Sequence, residues 1–225
     1  MIFNLSQKKL LFASLFSAAI LGILAWLVKN SPALQSIDDR ALVFFSQLRC
    51  PASDAFFLAV TYFGSEGFIT AGCILFAVAF FIYRKTPSYI LFLGTMLATS
   101  NFIYFLKTLT ERTRPEMITP AYQEALSSFP SGHTAFAVVF YGLAAYLMAS
   151  FAKTKSTRQN LLAGWIFIFI LIGYSRLYLG VHFLSDVIAG YAAGFFILSV
   201  SIILLEKLLS SEQPWWKKFW KKKTV

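Results

Sequence analysis

The chain has 225 residues, of which 58% are hydrophobic, 18% are aromatic and only 13% are charged. Soluble domains carry about 25% charged residues, so this deficit and the mean hydropathy of +0.67 indicate a membrane protein. The length fits a single domain over residues 1–225. A net charge of +10 would suggest nucleic-acid binding in a soluble protein, but here the positive-inside rule accounts for it, and no nucleic-acid partner is expected.

Six apolar segments are long enough, or nearly so, to cross the hydrocarbon core as helices of roughly 20 residues. In chain order these predicted spans are 10–28, 67–83, 89–106, 133–151, 161–177 and 183–205. The predicted fold class is therefore an all-α bundle of six transmembrane helices. The first segment could also be a cleaved signal peptide, but it exceeds the usual signal core of about 7–15 residues, which favours an uncleaved span.

Six spans place both termini on one side of the membrane. In this arrangement 13 of the 20 lysines and arginines lie on the side of the termini, so the positive-inside rule predicts cytoplasmic termini. The ending PWWKKFWKKK, within 213–225, predicts an interfacial tail anchored at the cytoplasmic leaflet; a basic regulatory tail is the alternative. Residues 37–48 could form a short amphipathic helix on the outer surface.

Polar and ionisable residues collect at one face of the predicted bundle. Such side chains are costly at membrane depth and mark functional sites. Both histidines of the chain are among them. The members at the predicted outer ends of the spans are Lys107, Arg114, Ser131, His133, Arg176, His182 and Asp186. This collection predicts one common site.

Part of this set has the chemistry of a phosphate-binding site. Lys107, Arg114 and Arg176 supply three positive charges; arginine matches phosphate with a planar fork, and lysine contributes a mobile point charge. Ser131 and Gly132 stand at a predicted helix start, where free backbone N–H groups attract anions. Glycine also lets the backbone approach a ligand closely.

The rest of the set has the chemistry of phosphoryl transfer. His182 and Asp186 are four residues apart and share one helix face. The carboxylate could bind one imidazole nitrogen and leave the other free to attack. His133 enters from a different helix and could protonate a leaving oxygen as general acid.

Each residue also has a structural alternative. Ser131 could be only a helix N-cap, His133 an interface residue, and Lys107 a side chain extended to the headgroups. His182 and Asp186 could be a structural pair, or belong to a metal site with the other histidine, although three nearby cations would repel a divalent metal. The conjunction of all these residues at one face favours catalysis.

Three motifs resemble those of the type 2 phosphatidic acid phosphatase superfamily. They are Lys-x6-Arg-Pro at 107–115, Pro-Ser-Gly-His at 130–133 and Ser-Arg-x5-His-x3-Asp at 175–186. The motifs are complete and occur in the family's order. Each alone is weak, but together they are highly specific, and the six-span layout extends the resemblance over most of the chain.

The resemblance implies a role for each matching residue. His182 is implied as the nucleophile that forms a phosphohistidine, Asp186 as the residue that orients it, and His133 as the acid that protonates the leaving lipid oxygen. The implied phosphate-binding residues are Lys107, Arg114, Ser131, Gly132 and Arg176. The family uses no metal, and no cofactor is expected. Arg112 falls at a variable motif position and is left out of the core site, although it could touch a headgroup or a second phosphate.

The function implied is an integral membrane phosphatase that hydrolyses a lipid phosphate or diphosphate. Undecaprenyl diphosphate is favoured because the predicted site faces outward; phosphatidylglycerophosphate and phosphatidic acid are further candidates. The predicted location is a bacterial inner membrane, with the active site facing the periplasm or exterior. Two alternatives stay open: a phosphotransferase that passes the phosphoryl group to an acceptor lipid such as lipid A, and a non-catalytic lipid-binding membrane protein.

Overall fold

A computed structural model describes residues 6–82, 86–116, 118, 120–122, 124, 126–149 and 152–210. Within these ranges every regular element is an α-helix. The helices are α1 (Gln7–Asn30), α2 (Pro32–Gln47), α3 (Pro51–Tyr62), α4 (Glu66–Ile82), α5 (Thr86–Thr110), α6 (Gly132–Ala149), α7 (Lys155–Tyr178) and α8 (Leu184–Ser210). The predicted interfacial tail at 213–225 lies outside the described residues.

Five of these helices, α1, α5, α6, α7 and α8, are each long and apolar enough to cross a membrane. The second predicted span, at 67–83, coincides with α4, which is described over 17 residues. It is counted as a crossing together with α3, from which it is bent by 42°. The chain is therefore a multi-pass membrane protein, with five candidate spans in its described residues, or six if the bent pair counts as one. Helix α3 was not predicted, because its 12 residues are too few to cross a bilayer alone.

Helix α2 begins earlier than the predicted amphipathic helix at 37–48. The hydroxyl of Ser31 accepts a hydrogen bond from the backbone N–H of Leu34, and Pro32 occupies the first helical turn, which are both favourable start signals. One face of the helix packs against α7 and α8 and buries Asp38 completely. The helix predicted to lie on the surface thus contributes a buried carboxylate.

Helices α6 and α8 form the centre of the bundle, with α1 packed along α8 and α7 along α6. Two glycines of α8 allow a close approach. A Cβ atom at Gly190 would lie 2.6 Å from the carbonyl oxygen of Ser131, and one at Gly194 would lie 2.6 Å from Cβ of Val138. This contact holds the start of α6, with Ser131, Gly132 and His133, close to the first half of α8, which carries Asp186.

Candidate active site

Four predicted site residues surround the carboxylate of Glu124, in the connection between α5 and α6. Arg114 Nη2 lies 2.6 Å from Oε2 of this carboxylate, and Arg176 Nη2 donates to Oε1. Nδ1 of His133 and Nε2 of His182 each lie 4.0 Å from a carboxylate oxygen. The residues predicted to bind and transfer a phosphoryl group therefore converge on one carboxylate, and the place that its oxygens occupy is called the anion position below.

Glu124 is held in its anionic form. Burial raises its pKa, but the positive charge of Arg176, with that of Arg114, outweighs burial and lowers the pKa to about 2. Sequence reasoning did not select this residue, since it lies in a connection without helical periodicity and outside the three motifs. Its place in the site becomes visible only in the folded structure, where it pairs with both Arg114 and Arg176.

Both arginines are fixed by further hydrogen bonds. Arg114 donates to the carbonyl oxygens of Leu126 at 2.9 Å and Val181 at 2.8 Å. Arg176 is fully buried and donates to the hydroxyl of Thr61 at 2.7 Å. Donors that are already oriented stabilise an anion without a cost of reorganisation. The two guanidinium groups therefore form a preorganised anion-binding site.

His182 directs one ring nitrogen toward Asp186 and the other toward the anion position. Nδ1 lies 3.5 Å from Asp186 Oδ2 and 3.4 Å from the hydroxyl of Ser128, while Nε2 lies 3.5 Å from Arg114 Nη1. Burial lowers the pKa of His182 to about 4, although the hydrogen bond with Asp186 acts to raise it. The imidazole is thus neutral near pH 7, which leaves one nitrogen unprotonated and able to attack.

Asp186 is fully buried and is bonded through both oxygens. Oδ2 accepts hydrogen bonds from the backbone N–H of Phe183 at 2.9 Å and from the hydroxyl of Ser128. Oδ1 accepts from Arg112 Nη1 at 2.7 Å. Arg112, which sequence reasoning left outside the core site, therefore contacts the site carboxylate rather than the anion position. Ser128 was also missed, although it lies two residues before the second motif.

The remaining predicted phosphate-binding residues are Lys107, Gly132 and Ser131; the first two line the cavity beside the anion position, and Ser131 is buried behind it. Lys107 and Gly132 line the same cavity as His133. Ser131 is buried; its backbone N–H donates to the carbonyl oxygen of Asp186 at 3.0 Å, and its hydroxyl accepts from Thr134 at 2.9 Å. Ser131 thus joins α6 to α8, and its backbone N–H is already occupied.

A cavity of about 710 Å³ adjoins the anion position and lies among α3, α4, α5 and α6. Its polar end contains Lys107, Arg114, Glu124 and His133. Its apolar walls include Leu58, Tyr62, Ile103 and Phe136. Ligand cavities of roughly 300–1,000 Å³ with apolar walls and a few convergent polar groups are typical of binding sites. The shape suits an amphiphile whose charged end meets the arginines.

Together, the helices and this site define a class: a multi-pass membrane protein with a buried histidine–aspartate pair beside two arginines that bind one carboxylate. Among the described residues, no three histidine, cysteine, aspartate or glutamate side chains are grouped so as to hold a metal ion.

Comparison with known proteins narrows the class to a family. The PAP2 superfamily model matches residues 88–209, and the chain belongs to this superfamily. It is 31% identical over 168 residues to phosphatidylglycerophosphatase B of Bacillus subtilis, covering 73% of this chain and 81% of the relative. It is 27% identical over 182 residues to lipid A 4'-phosphatase of Bacteroides thetaiotaomicron, covering 72% and 74% respectively.

A solved structure shows the same architecture. The crystal structure of a transmembrane PAP2 type phosphatidylglycerolphosphate phosphatase from Bacillus subtilis superimposes with a TM-score of 0.83 at 28% identity, covering 88% of this chain and 98% of that chain. The transmembrane PAP2 fold is thereby confirmed, and the family's relatives support a lipid phosphatase.

Proposed function

We propose that the protein hydrolyses the phosphate ester of a membrane lipid through a phosphohistidine at His182. The observation that carries this proposal is the convergence of His133, His182, Arg114 and Arg176 on one anion position beside an apolar cavity. The substrate phosphoryl group would take the place of the Glu124 carboxylate. The lipid chain would occupy the cavity among α3, α4, α5 and α6.

In the first chemical step, Nε2 of His182 attacks phosphorus while the bond between phosphorus and the lipid oxygen breaks. The electron pair of that bond goes to the leaving oxygen, which takes a proton from His133. The two arginines stabilise the negative charge that builds on the equatorial oxygens. The lipid alcohol leaves, and the phosphoryl group stays on His182.

In the second step, water replaces the lipid alcohol. His133, now unprotonated, accepts a proton from this water while the oxygen bonds to phosphorus and the phosphorus–nitrogen bond breaks. Inorganic phosphate is released and His182 is regenerated. The mechanism requires no metal, because the three cations Lys107, Arg114 and Arg176 supply the positive charge that a metal would otherwise supply.

For the substrate, the charges around the site favour a phosphate monoester over undecaprenyl diphosphate, the candidate favoured by sequence reasoning. A second phosphate bonded directly to the first would need further cations. Arg112 is held between Asp38 and Asp186, and the neighbouring cavity has no surplus of positive charge. Its charged lining consists of Lys107, Arg112, Arg114, Glu111, Glu116 and Glu124. A glycerolipid phosphate, such as the phosphatidylglycerophosphate named for the Bacillus subtilis relative, fits this distribution better.

We place the site at the outer face of a bacterial cell membrane. In the predicted six-span topology, 13 of the 20 lysines and arginines lie on the side opposite the site, and this excess supports the orientation under the positive-inside rule. Those within the described ranges are Lys8, Lys9, Lys153, Lys155, Arg158 and Lys207. A reporter fused after Val225 should give a cytoplasmic signal, and a periplasmic signal would overturn the orientation.

A substrate panel with purified protein tests the function. Phosphatidylglycerophosphate, phosphatidic acid and undecaprenyl diphosphate would be offered in detergent micelles with EDTA, to wild type and to His182→Ala. We expect inorganic phosphate release that survives EDTA, is fastest with a monoester and is lost in His182→Ala. Loss of activity in EDTA or wild-type turnover in the variant would contradict the mechanism. Transfer of label to an added lipid A acceptor, without free phosphate, would indicate a phosphotransferase.

A further inference from the structure

We propose that Asp38 and Arg112 are positioning residues of this active site, which hold Asp186 in the orientation that His182 needs. The proposal rests on the proposed function, because it assigns a role in forming the phosphohistidine. Asp38 belongs to α2 and lies outside the residues 88–209 that match the superfamily model. A helix near the N-terminus would thereby contribute to the chemistry.

One guanidinium group joins the two carboxylates. Arg112 Nη1 lies 2.7 Å from Asp186 Oδ1, and Arg112 Nη2 lies 2.7 Å from Asp38 Oδ2. The guanidinium carbon stands 4.1 Å from the centre of the Phe183 ring, a distance at which a cation is attracted to the ring face. The guanidinium group of Arg112 is thus held by a carboxylate at each of its two terminal nitrogens and by the Phe183 ring against its carbon.

Ser185 links the same groups a second time. Its backbone N–H donates to Asp38 Oδ1 at 2.9 Å and its hydroxyl donates to Asp38 Oδ2 at 2.5 Å. Arg112 Nη1 lies 2.7 Å from the same hydroxyl oxygen. Asp38 therefore binds the turn that carries Asp186 as well as the arginine that contacts Asp186.

The burial of these groups argues for a role beyond holding helices together. Asp38 and Asp186 are fully buried and Arg112 is 8% exposed. Buried ion pairs carry a large desolvation cost, and apolar residues of similar volume usually stabilise a fold as well or better. Apolar residues could not, however, bind Oδ1 of Asp186 and leave Oδ2 facing the imidazole.

The net charge of the group suits the reaction. Arg112 alone would neutralise Asp186, whereas two carboxylates and one guanidinium leave one negative charge beside His182. When Nε2 bonds to phosphorus while Nδ1 keeps its proton, the ring becomes cationic, and a negative charge at Nδ1 stabilises it. Removing the Asp38 charge should therefore slow formation of the phosphohistidine and leave lipid binding unchanged.

The test compares Asp38→Asn with wild type, and with Asp54→Asn as the matched control. Asp54 also pairs with an arginine, Arg49 at 3.1 Å, but this pair lies on α3 and its preceding loop. Groups that orient metal-bound histidines cost about 10–100-fold when removed, and we expect a loss in kcat of similar size for Asp38→Asn. KM should stay within about twofold, and the control should match wild type.

Single-turnover measurements show which chemical step the loss of Asp38 slows. We expect Asp38→Asn to slow the appearance of phosphoenzyme, and to add little further loss in an Asp186→Asn background, because Asp38 acts through Asp186. A wild-type kcat in folded Asp38→Asn, or a full additional loss in the Asp186→Asn background, would overturn the proposal.

A second variant covers the case in which Asp38→Asn fails to fold. Asp38→Leu combined with Arg112→Met replaces the pair by apolar side chains and leaves the net negative charge beside His182 unchanged, because Asp186 remains. This folded protein should still lose kcat, since nothing then holds Oδ1 of Asp186 in place. A wild-type kcat would assign the pair a structural role only. Turnover that persists in His182→Ala would instead refute the proposed function itself, so the two failures are distinguishable.

Discussion

Replacing Glu124 by glutamine should make the site bind phosphate and vanadate more tightly. The carboxylate occupies the anion position between Arg114 and Arg176, so in the proposed mechanism a substrate phosphoryl group must displace it. Because the pKa of Glu124 is lowered to about 2, acid in the usual assay range does not remove this competition. Glutamine keeps the shape of the side chain and removes its charge.

The magnitude follows from the contacts that the carboxylate makes. A hydrogen bond to a charged group contributes about 1.5–3 kcal/mol, and the glutamate makes one with each arginine. The glutamine oxygen still accepts a hydrogen bond, so the competition should weaken by about the value of one such bond. At 1.4 kcal/mol per factor of ten, this corresponds to roughly a tenfold to hundredfold gain in affinity.

The assay measures inhibition of lipid phosphate hydrolysis by inorganic phosphate and by orthovanadate. Glu116→Gln is the matched control, since Glu116 is exposed and lines neighbouring cavities without an ion pair to either arginine. We expect both inhibition constants to fall in Glu124→Gln and to stay unchanged in the control. Weaker inhibition in Glu124→Gln would refute the reasoning, because it would mean that the carboxylate positions the arginines instead of competing for them.

Three further predictions concern the histidines and the helix contact. His133→Asn should release about one equivalent of nitrophenolate from p-nitrophenyl phosphate in a burst and then stall, since this leaving group needs no proton but hydrolysis needs a base; steady turnover would contradict the assignment. In an NMR titration of that variant, His182 should stay neutral from pH 8 down to pH 5, because burial lowers its pKa to about 4; a midpoint near 6.5 would contradict the burial. Gly190→Ala should destabilise the fold by about 1–3 kcal/mol and lower activity, since the new methyl meets the Ser131 carbonyl. Gly94→Ala, where nothing lies within 4 Å, should unfold no earlier than wild type in the same thermal melt.

Much of the fold was predictable because the membrane imposes a length on each helix. Five spans follow from apolar runs of about the required length. The α3–α4 pair was not predictable in the same way, since α3 has 12 residues and reads as a connection. The bend at residues 63–65 places Gly64 close to α6 and α7. A Cβ atom at Gly64 would lie 3.3 Å from the carbonyl oxygen of His133 and 2.8 Å from Cγ2 of Ile172. Contacts of this kind arise only when the helices pack together, so sequence patterns do not predict them.

The site was predictable where its residues differ from their surroundings. Arg176 and His182 are polar side chains at the ends of apolar runs. Such residues can be identified as functional candidates whatever their spacing along the chain. Glu124 and Asp38 do not stand out, because acidic residues are ordinary in a loop and on an amphipathic helix. Their importance comes from folding, which places one between two arginines and buries the other against Arg112.

The most direct test of the central claim is to identify the atom that carries phosphate during turnover. Protein mixed with a ³²P-labelled lipid phosphate would be quenched in alkali, which preserves phosphohistidine, and digested for peptide mapping. The mechanism predicts label on the peptide containing His182, absent from His182→Ala and increased in His133→Asn. Label on any other residue, or none at all during measurable turnover of wild type and His133→Asn, would contradict a covalent intermediate at His182.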